Sequence, residues 1–373
     1  MRLLHVYSGN LFGGIESILV SMARNRDLYP QLRHEFALCF DGRLSAELSA
    51  CAAVHMLGDV RASRPHSIAA ARRRLASVLA AAPYDAAIFH APWSFALFAT
   101  VARRAGVPSA IWVHDVWTGR HWTERLARRQ SPALVIVNSE FTASTLGSAF
   151  GAVHRAVIRP LVDVTTPATS TDIAAIRRDA RTSPSSVVIV QASRLEAWKG
   201  HASLLRALAT LDTATEWVCW IAGGAQRPAE QRYQHDLRAL ASELRIADRV
   251  RFLGERSDMG HVLAAADIYC QPNLRPEPFG VVLVEALAAG RPVVTVRAGG
   301  AVEIVDDSCG RLVAPDDVDA LRQALRTLID DEALRAQLGA AGPARAARIS
   351  DPSRQLQMLH AALAPIAFRA VAS

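Results

Sequence analysis

The stretch Ser186-Val-Val-Ile-Val-Gln-Ala192-Ser-Arg194-Leu-Glu-Ala-Trp-Lys199-Gly200 runs from an apolar segment into a loop, and a helical pattern over His201–Thr210 follows it. An apolar run of this length predicts a buried strand, and a loop that closes on a glycine predicts the turn into a helix. Strand, loop and helix in this order form one unit of a parallel α/β sheet. The stretch therefore predicts a fold in which helices cover a parallel sheet.

Two series of such units are predicted, on either side of a segment rich in Thr, Ser, Ala and Pro. The first series has strands at Leu3–Tyr7, His34–Phe40, Ala86–His90, Ala110–His114 and Ala133–Asn138, and helices at Ile15–Ala23, Ser67–Ala82 and Phe95–Ala105. The second has strands at Ser186–Ala192, Trp217–Gly223, Val250–Leu253, Ile268–Gln271 and Pro292–Val296, and helices at His201–Thr210, Gln231–Leu244, Gly280–Ala289 and Asp317–Ile329. We therefore predict two Rossmann-like, doubly wound α/β domains.

The predicted boundaries follow from these series. The first domain takes residues 1–164, the linker takes residues 165–185 with a helix at Asp172–Arg181, and the second domain takes residues 186–350. A last helix, Pro352–Leu363, lies in residues 351–373 and has no strand after it, so it must dock on a domain that has already formed.

The composition excludes several classes of protein. Of the 373 residues, 51% are hydrophobic and 21% charged, which indicates folded cores rather than disorder, collagen or coiled coil. The longest stretch without formal charge, residues 86–102, is shorter than the roughly 20 apolar residues of a membrane-spanning helix. The amino terminus turns polar too soon for a signal peptide, and five scattered cysteines contain no Cys-x-x-Cys pair. We expect a cytoplasmic protein without a metal site.

The charges are unevenly distributed. Residues 1–163 hold 18 basic and 11 acidic residues, a net charge of +7, whereas the remainder is neutral. This excess, with Arg72-Arg73-Arg74 on a predicted helix, suggests contact with an anionic acceptor or with the inner face of a membrane; a fluctuation of composition and a solvated helix face are the alternatives. Only one of the 42 basic residues is a lysine, Lys199, which suggests a position that needs a compact ammonium.

The most informative motif is Arg275-Pro-Glu277-Pro-Phe-Gly-Val-Val-Leu-Val-Glu285-Ala-Leu-Ala-Ala-Gly290. Its helix is apolar at every position except Glu285, so this carboxylate needs a partner, either the hydroxyls of a vicinal diol or a neighbouring arginine. Glu277 precedes the helix, whose first amides form an anion site, although a simple N-terminal cap is the alternative. Amides and carboxylates together suit a sugar nucleotide.

Four other motifs follow strands or begin helices. Arg194 and Lys199, five residues apart in one loop, could clamp a diphosphate and neutralise it as it leaves. The pairs Gly299-Gly300 and Gly13-Gly14 could bring backbone amides against a ligand, but such pairs are common in turns. Asp317 and Asp319 have the spacing of a metal-binding pair, but their place at a helix start favours N-capping.

The order of these motifs resembles the retaining glycosyltransferases of family 4 (group 1), which have the GT-B fold: R-x4-K, then E-x7-E with Pro-Phe-Gly, then Gly-Gly-x-x-Glu. Further matches are Gly13-Gly14-Ile-Glu16, Val137-Asn138-Ser139 and Ala265-Ala-Asp267-Ile-Tyr-Cys-Gln-Pro272, and together they span residues 13–303. One departure is Arg159-Pro160-Leu-Val-Asp163, which lacks the Asn-Gly turn usual before the linker. In the family the last helix returns to the first domain.

The resemblance implies a donor site and no cofactor or metal. Arg194 and Lys199 would bind the donor diphosphate, and Glu285 would hold the ribose hydroxyls. The donor sugar would contact Glu277, His114 and the amides of Phe279, Gly280 and Val281. Backbone at Phe252 and Leu253 would frame the base, with Gly13 and Gly14 also on the donor side. The expected catalytic residues are Arg194, Lys199, Glu277 and His114, and the expected donor is a UDP- or GDP-sugar.

The sequence does not identify the acceptor. Aromatic and polar residues that suit stacking on a sugar are Trp93, Trp112, Asp115, Trp117, His121 and Trp122, with packing of a long loop as the alternative. The predicted reaction moves a sugar to an acceptor hydroxyl of a glycan, glycolipid or small molecule, and no nucleic acid is expected. A sugar-nucleotide epimerase and a non-catalytic subunit of the same fold are the competing hypotheses.

Overall fold

The structure, a computed structural model, describes residues 1–162 and 168–367. Contacts within the chain divide it into two compact units. Unit 1 is Met1–Val162 together with the chain from Ser350 on, and unit 2 is the segment between them, which ends at Ile349. Asp163, which ends the unusual motif before the predicted linker, lies outside the described residues.

Unit 1 is built on a seven-stranded parallel sheet of order β3-β2-β1-β4-β5-β6-β7. Its strands are β1 Arg2–Tyr7, β2 Arg33–Leu38, β3 Ala53–Met56, β4 Ala86–His90, β5 Ser109–Val113, β6 Leu134–Val137 and β7 Arg155–Val157. Its first helices are α1 Gly14–Arg24, α2 Arg43–Ser49, α3 Pro65–Ala81, α4 Ala91–Arg104, α5 Trp122–Ala127 and α6 Glu140–Thr145. The five predicted strands are the central ones, which are almost wholly buried. The sequence missed β3 and β7 because these edge strands are short and only half-buried.

The two faces of this sheet carry different side chains. Leu4, Val6 and Phe89 point to one face and share a core with α3 and α4. Phe36 and Leu38 point to the other face and pack against α1 and α2. Because side chains alternate along a strand, the odd-numbered residues of β1 lie on the face that α1 covers.

Unit 2 is built on a six-stranded parallel sheet of order β10-β9-β8-β11-β12-β13. Its helices are α7 Ser170–Asp179, α8 His201–Ala209, α9 Pro228–Glu243, α10 Met259–Ala265, α11 Val281–Ala288, α12 Ala301–Ile304, α13 Val318–Asp330 and α14 Glu332–Ser350. Its strands are β8 Val187–Ala192, β9 Trp217–Ala222, β10 Val250–Gly254, β11 Ile268–Gln271, β12 Val293–Val296 and β13 Gly310–Val313. The last strand was not predicted, since it begins with a glycine and offers only two aliphatic residues.

The predicted linker differs from the structure. Its middle is α7, which packs on α10 of unit 2. The guanidinium of Arg177 donates to the carbonyl of Ala265 at 2.9 Å and to the carboxylate of Asp267 at 2.8 Å. Described residues of the segment from 168 to 185 therefore belong to the second unit, and Ser/Thr-rich composition alone did not reveal these contacts.

The last helix, α15 Pro352–Ala367, contacts β4 and β6 and thus belongs to unit 1. The side chain of Gln355 accepts a hydrogen bond from the amide of Arg159 at 2.9 Å, and the hydroxyl of Tyr29 lies 2.8 Å from Nδ1 of His360. The expectation that the chain returns to the first domain is confirmed. Two parallel, doubly wound α/β units and a returning helix also confirm the predicted fold class.

The arginines of α3 do not all face solvent. Arg72 donates to the carbonyl of Leu97 at 2.8 Å, and Arg74 donates to the carbonyl of Leu57 at 2.9 Å. These contacts favour a structural use of the triplet over a membrane-binding surface. Among the helices in the described part of the chain, none combines the length and the apolar character needed to cross a membrane.

Candidate functional site

The sheet of unit 2 reverses its strand order between β8 and β11. From β8 the chain proceeds outward through β9 and β10, and it then returns to the other side of β8 with β11 and proceeds to β12 and β13. Ligands of open α/β sheets bind in the crevice at such a switch point, outside the carboxyl ends of the strands. The loops that follow β8 and β11 carry Lys199 and Glu277, so the predicted residues lie where this rule expects a site.

An ion pair joins these two loops. Nζ of Lys199 lies 2.7 Å from Oε2 of Glu277, and both side chains are only 12% exposed. Oε2 also accepts hydrogen bonds from the side-chain amides of Gln271 at 3.0 Å and Asn273 at 2.7 Å. Within the described residues, all hydrogen bonds to this carboxylate end on Oε2. The carboxylate is thus held in place by a cation and two side-chain amides.

The sequence singled out Lys199 and Glu277 as site residues, but not the side-chain amides of Gln271 and Asn273. The hydroxyl of Tyr269 donates to Oε1 of Gln271 at 2.7 Å, which orients the Gln271 amide toward Glu277. Burial, with the Glu277 carboxylate next in importance, raises the pKa of Tyr269 well above its usual range, so the phenol stays a donor. The available signal was that Gln271 and Asn273 are polar residues at, and just after, the end of the buried strand β11.

The other charged side chains of the loop after β8 bond to groups within the same loop. Nη1 of Arg194 pairs with Oε1 of Glu196 at 3.0 Å, and Nε1 of Trp198 donates to Oε2 of the same carboxylate at 2.8 Å. Nζ of Lys199 lies 4.0 Å from the centre of the Trp198 ring. Arg194 is 35% exposed and does not contact the Lys199–Glu277 pair, so the two cations sit in one loop but in different surroundings.

Glycines let the loops of this site approach one another. Gly200 has φ +78°, and a Cβ there would lie 1.8 Å from the carbonyl oxygen of Pro272. Gly299 has φ +67°, and a Cβ there would lie 2.3 Å from the carbonyl oxygen of Glu277. The amide of Gly300 donates to that same carbonyl at 2.7 Å. The Gly299-Gly300 pair therefore supports the Glu277 loop, which corrects the suggestion that the amide of Gly300 is presented to a ligand.

Helix α11 begins next to Glu277 and carries Glu285 on its second turn. Gly280 precedes it with φ +109°, and Phe279 is buried at 2% exposure. The helix was predicted to be buried on all sides, but Val281 and Glu285 are half-exposed. One face of α11 is thus accessible at its amino-terminal half, where the helix dipole favours an anion. Glu285 lies on this helix beyond the anion-binding end.

The remaining predicted residues of unit 2 lie further along the sheet. Phe252 and Leu253 are half-buried on edge strand β10, which β9 separates from β8. The guanidinium of Arg238 lies 4.2 Å from the centre of the Phe252 ring. A base framed by these residues would therefore lie two strands away from the Lys199–Glu277 pair.

No metal site is evident in the part of the chain that the structure describes, which contains no group of three or more His, Cys, Asp or Glu placed to hold an ion. The side chain of Asp317 accepts a hydrogen bond from the amide of Ala320 at 2.8 Å and caps α13. The N-capping interpretation of the Asp317–Asp319 motif is confirmed.

In unit 1, the predicted residues also lie near the carboxyl ends of strands. Gly13 and Gly14 connect β1 to α1, and a Cβ at Gly14 would meet no other atom within 4 Å. Packing within unit 1 therefore does not demand a glycine at position 14. His114 follows β5 and is 7% exposed, with its Nε2 2.9 Å from Nδ1 of His90, and Asn138 donates to its backbone carbonyl at 3.0 Å.

The aromatic residues predicted for the acceptor divide into two groups. Trp117 is buried, with its ring centre 5.2 Å from that of Phe150, and Trp112 is fully buried as well. The burial of both rings and the contact of Trp117 with Phe150 favour packing over stacking on a sugar, which corrects the choice of Trp117. Trp93 is half-buried against the core, whereas Asp115, His121 and Trp122 are exposed around the loop after β5. Of the residues predicted for the acceptor, Asp115, His121 and Trp122 are thus the ones that are accessible.

Two Rossmann-like units in one chain, with a returning last helix, define the GT-B class of fold. The family model of Glycosyl transferases group 1 matches residues 172–345, and that of Glycosyltransferase Family 4 matches residues 12–166. The chain belongs to glycosyltransferase family 4 (group 1). It is a glycosyltransferase that uses a nucleotide sugar.

Two curated relatives are bacterial mannosyltransferases. A GDP-mannose-dependent monoacylated alpha-(1-6)-phosphatidylinositol monomannoside mannosyltransferase of Corynebacterium glutamicum is 33% identical over 287 residues, which cover 72% of this chain and 74% of that protein. A GDP-mannose-dependent alpha-(1-6)-phosphatidylinositol monomannoside mannosyltransferase of Mycolicibacterium smegmatis is 33% identical over 277 residues, 68% of this chain and 69% of that protein.

A solved structure is similar over almost the whole chain. HepE from Anabaena, crystallised with UDP and glucose, superposes with a TM-score of 0.86 at 27% identity and covers 98% of this chain and 100% of its own.

Proposed function

We propose that this protein is a retaining, metal-independent glycosyltransferase that moves a sugar from a nucleoside diphosphate sugar to an acceptor hydroxyl. The observation that carries the proposal is the Lys199–Glu277 pair, which lies at the switch point of unit 2 beside the amino terminus of α11. A transferase must bind the diphosphate of a sugar nucleotide, stabilise the charge that develops on it and hold the sugar hydroxyls. The ammonium, the helix end and the preorganised carboxylate serve these three tasks.

The diphosphate would bind to Lys199, to the first amides of α11 and to Arg194. An ammonium has three N–H donors, and Glu277 takes one of them, so two remain for phosphate oxygens. As the bond between the anomeric carbon and the diphosphate oxygen breaks, these groups stabilise the negative charge that grows on the leaving group. Arg194 would turn from Glu196 toward the phosphates when the donor binds.

The sugar would be held by Glu277, and the ribose by Glu285. Because the protein's own donors reach Oε2 of Glu277, its Oε1 is the oxygen offered to the sugar hydroxyls. The acceptor oxygen forms its bond to the anomeric carbon on the face that the diphosphate leaves, and the hydroxyl proton passes to the departing diphosphate oxygen. This course conserves the anomeric configuration.

The similarities to known proteins suggest two different donors. The curated relatives are GDP-mannose-dependent, whereas HepE was solved with UDP and glucose. GDP-mannose and UDP-glucose are thus the first donors to test. The relatives act on a phosphatidylinositol monomannoside, so a polyol-bearing glycolipid is the first acceptor to try.

A panel of UDP-, GDP- and ADP-sugars tests the proposal, with thermal unfolding and release of nucleoside diphosphate as readouts. A donor present at 100 times its dissociation constant stabilises the folded state by about 2.7 kcal/mol. We expect one base to raise the unfolding temperature and its sugar nucleotide to be turned over. Binding without turnover would favour the non-catalytic subunit, and turnover to an epimerised donor without acceptor would favour the epimerase. No stabilisation by any of the nucleotides would contradict the donor site.

Metal independence makes a separate prediction. Since Lys199 and the helix amides supply the charge that a divalent ion would otherwise supply, turnover should be unchanged when EDTA is added. The measurement compares initial rates in EDTA with those after Mg²⁺ or Mn²⁺ is restored. A loss in EDTA that either ion reverses would show that the reaction needs a metal.

A further inference from the structure

Four histidines form a continuous hydrogen-bonded chain across the sheet of unit 1. Nδ1 of His34 lies 2.9 Å from Nε2 of His5, Nδ1 of His5 lies 2.9 Å from Nε2 of His90, and Nδ1 of His90 lies 2.9 Å from Nε2 of His114. The ring centres are 5.1–5.2 Å apart from one member to the next. All four side chains are at most 7% exposed, and they lie on β2, on β1, at the end of β4 and just after β5.

All four rings are neutral at ordinary pH. Burial lowers the pKa of His34 to about 4 and that of His114 to about 3, and it lowers the pKa values of His5 and His90 well below the usual range. A neutral imidazole carries one N–H, which serves as donor, and one bare nitrogen, which serves as acceptor.

The number of protons on the four rings links the protonation of the two end nitrogens. Four neutral rings bring four N–H groups, and the three hydrogen bonds use three of them. The fourth proton must sit on an end nitrogen, either Nδ1 of His114 or Nε2 of His34. Both end nitrogens are buried, and neither has a hydrogen-bond partner within the described residues. In one arrangement every N–H points toward His114, and in the other every N–H points toward His34.

The three hydrogen bonds thus tie the tautomer of His114 to that of His34, because a ring that donates to one neighbour must accept from the other. We propose that His34, His5 and His90 are positioning residues that set the tautomer of His114, so that the group at position 34 decides whether Nδ1 of His114 is a hydrogen-bond donor or a bare acceptor at the carboxyl edge of the sheet. An effect of this tautomer on turnover rests on the proposed function, for which the family resemblance names His114 as a catalytic residue. The coupling of the tautomers rests on the geometry alone. A neutral donor at this point can stabilise a developing negative charge without giving up its proton.

Substitution at His34 can reverse the chain without touching His114. An ionised aspartate places an oxygen near the position of Nδ1 and only accepts hydrogen bonds, so His34→Asp forces each N–H to point toward residue 34 and leaves Nδ1 of His114 bare. His34→Asn has nearly the same shape but can donate as well as accept, so it is the matched variant that does not force this arrangement. His154→Asn, at an exposed histidine outside the chain, is the control for mutation as such.

Nitrogen-15 spectra of the histidine rings in the full-length protein test the proposal directly, because protonated and bare ring nitrogens resonate far apart. We expect the four wild-type rings to share one tautomer, either all Nδ1–H or all Nε2–H, and Nδ1 of His114 to be bare in His34→Asp. Where the wild-type rings are Nδ1–H, turnover of the donor by His34→Asp should fall on the order of 100-fold, the effect of losing one preorganised donor, with the KM for the donor within about 3-fold, as uniform binding is kept. His34→Asn and His154→Asn should stay close to wild type.

Mixed tautomers among the four rings of the wild type would overturn the proposal, and this observation needs no variant to fold. The same holds if Nδ1 of His114 is protonated in a folded His34→Asp protein. If no sugar nucleotide is turned over by the wild type, the proposed function fails, but the spectra still decide whether the four rings act as one unit.

Discussion

Replacing Lys199 by arginine is expected to lower turnover by roughly two to three orders of magnitude, the range for one preorganised electrostatic donor. The positive charge is conserved, so the loss would come from shape. Nζ of Lys199 sits 2.7 Å from one oxygen of Glu277 and 4.0 Å from the centre of the Trp198 ring, with two amides at the same oxygen. A planar guanidinium is larger and cannot occupy the place of a compact ammonium while it also contacts the diphosphate.

The structure changes the expected effect of this position on stability. A substitution in an exposed loop would cost about half a kcal/mol or less, but Lys199 is 12% exposed and pairs with a buried carboxylate. Lys199→Ala leaves Glu277 without its cation and should cost roughly 3 kcal/mol, in the range for breaking a buried pair. It should also weaken binding of the nucleotide.

The measurements for this prediction are steady-state rates, affinity for the donor and thermal unfolding. Arg206→Lys on α8 is the matched control, because this exposed arginine follows the site in sequence but makes no part of it. If Lys199→Arg retained wild-type turnover and donor affinity, the single lysine would be an accident of composition, and the diphosphate would rest on Arg194 and the amides of α11.

Acidification from pH 7 to pH 5 is expected to unfold unit 1 before unit 2. The four chain histidines have folded pKa values below the unfolded value of about 6.5, with His34 at about 4 and His114 at about 3. Their contribution is therefore complete above about pH 6.5 and is lost as the pH falls toward the folded values. Each imidazole costs about 1.4 kcal/mol per pH unit in this window, so the four cost roughly 5 kcal/mol per unit, which is comparable to the stability of a whole domain.

Unit 2 provides the internal comparison for this prediction. It holds one histidine of the same kind, His201, whose pKa burial lowers to about 3. Hydrogen exchange followed by mass spectrometry, at a series of pH values with rates corrected for the intrinsic pH dependence, reports on each unit separately. Peptides of β1, β2, β4 and β5 should lose protection at a higher pH than peptides of β8 and β11. Equal loss in both units would show that the buried histidines do not control acid stability.

The sequence predicted the central strands better than it predicted how residues from different strands meet. Buried strands such as β8 are apolar runs that pattern alone reveals, whereas edge strands β3, β7 and β13 are short and mixed in character. Lys199 and Glu277 were each singled out, but the ion pair joins residues 78 positions apart, and only the strand order brings their loops together.

The histidine chain shows the same limit. Each of its members lies on or at the end of a separate predicted strand, so the signal was present in the sequence. Only His114 drew attention, because register and strand order were needed to place His34, His5 and His90 beside one another. Local pattern identifies elements and polar positions; tertiary pairing decides which polar residues become a network.

The anomeric configuration of the released sugar tests the proposed reaction most directly. Many transferases pass the sugar slowly to water when no acceptor is present, and proton NMR can follow that hydrolysis before the free sugar equilibrates between its anomers. With GDP-mannose or UDP-glucose, whichever is bound, the first sugar to appear should have the same anomeric configuration as the donor, and its rate of appearance should fall in Lys199→Arg. The opposite anomer as the first product would contradict the account.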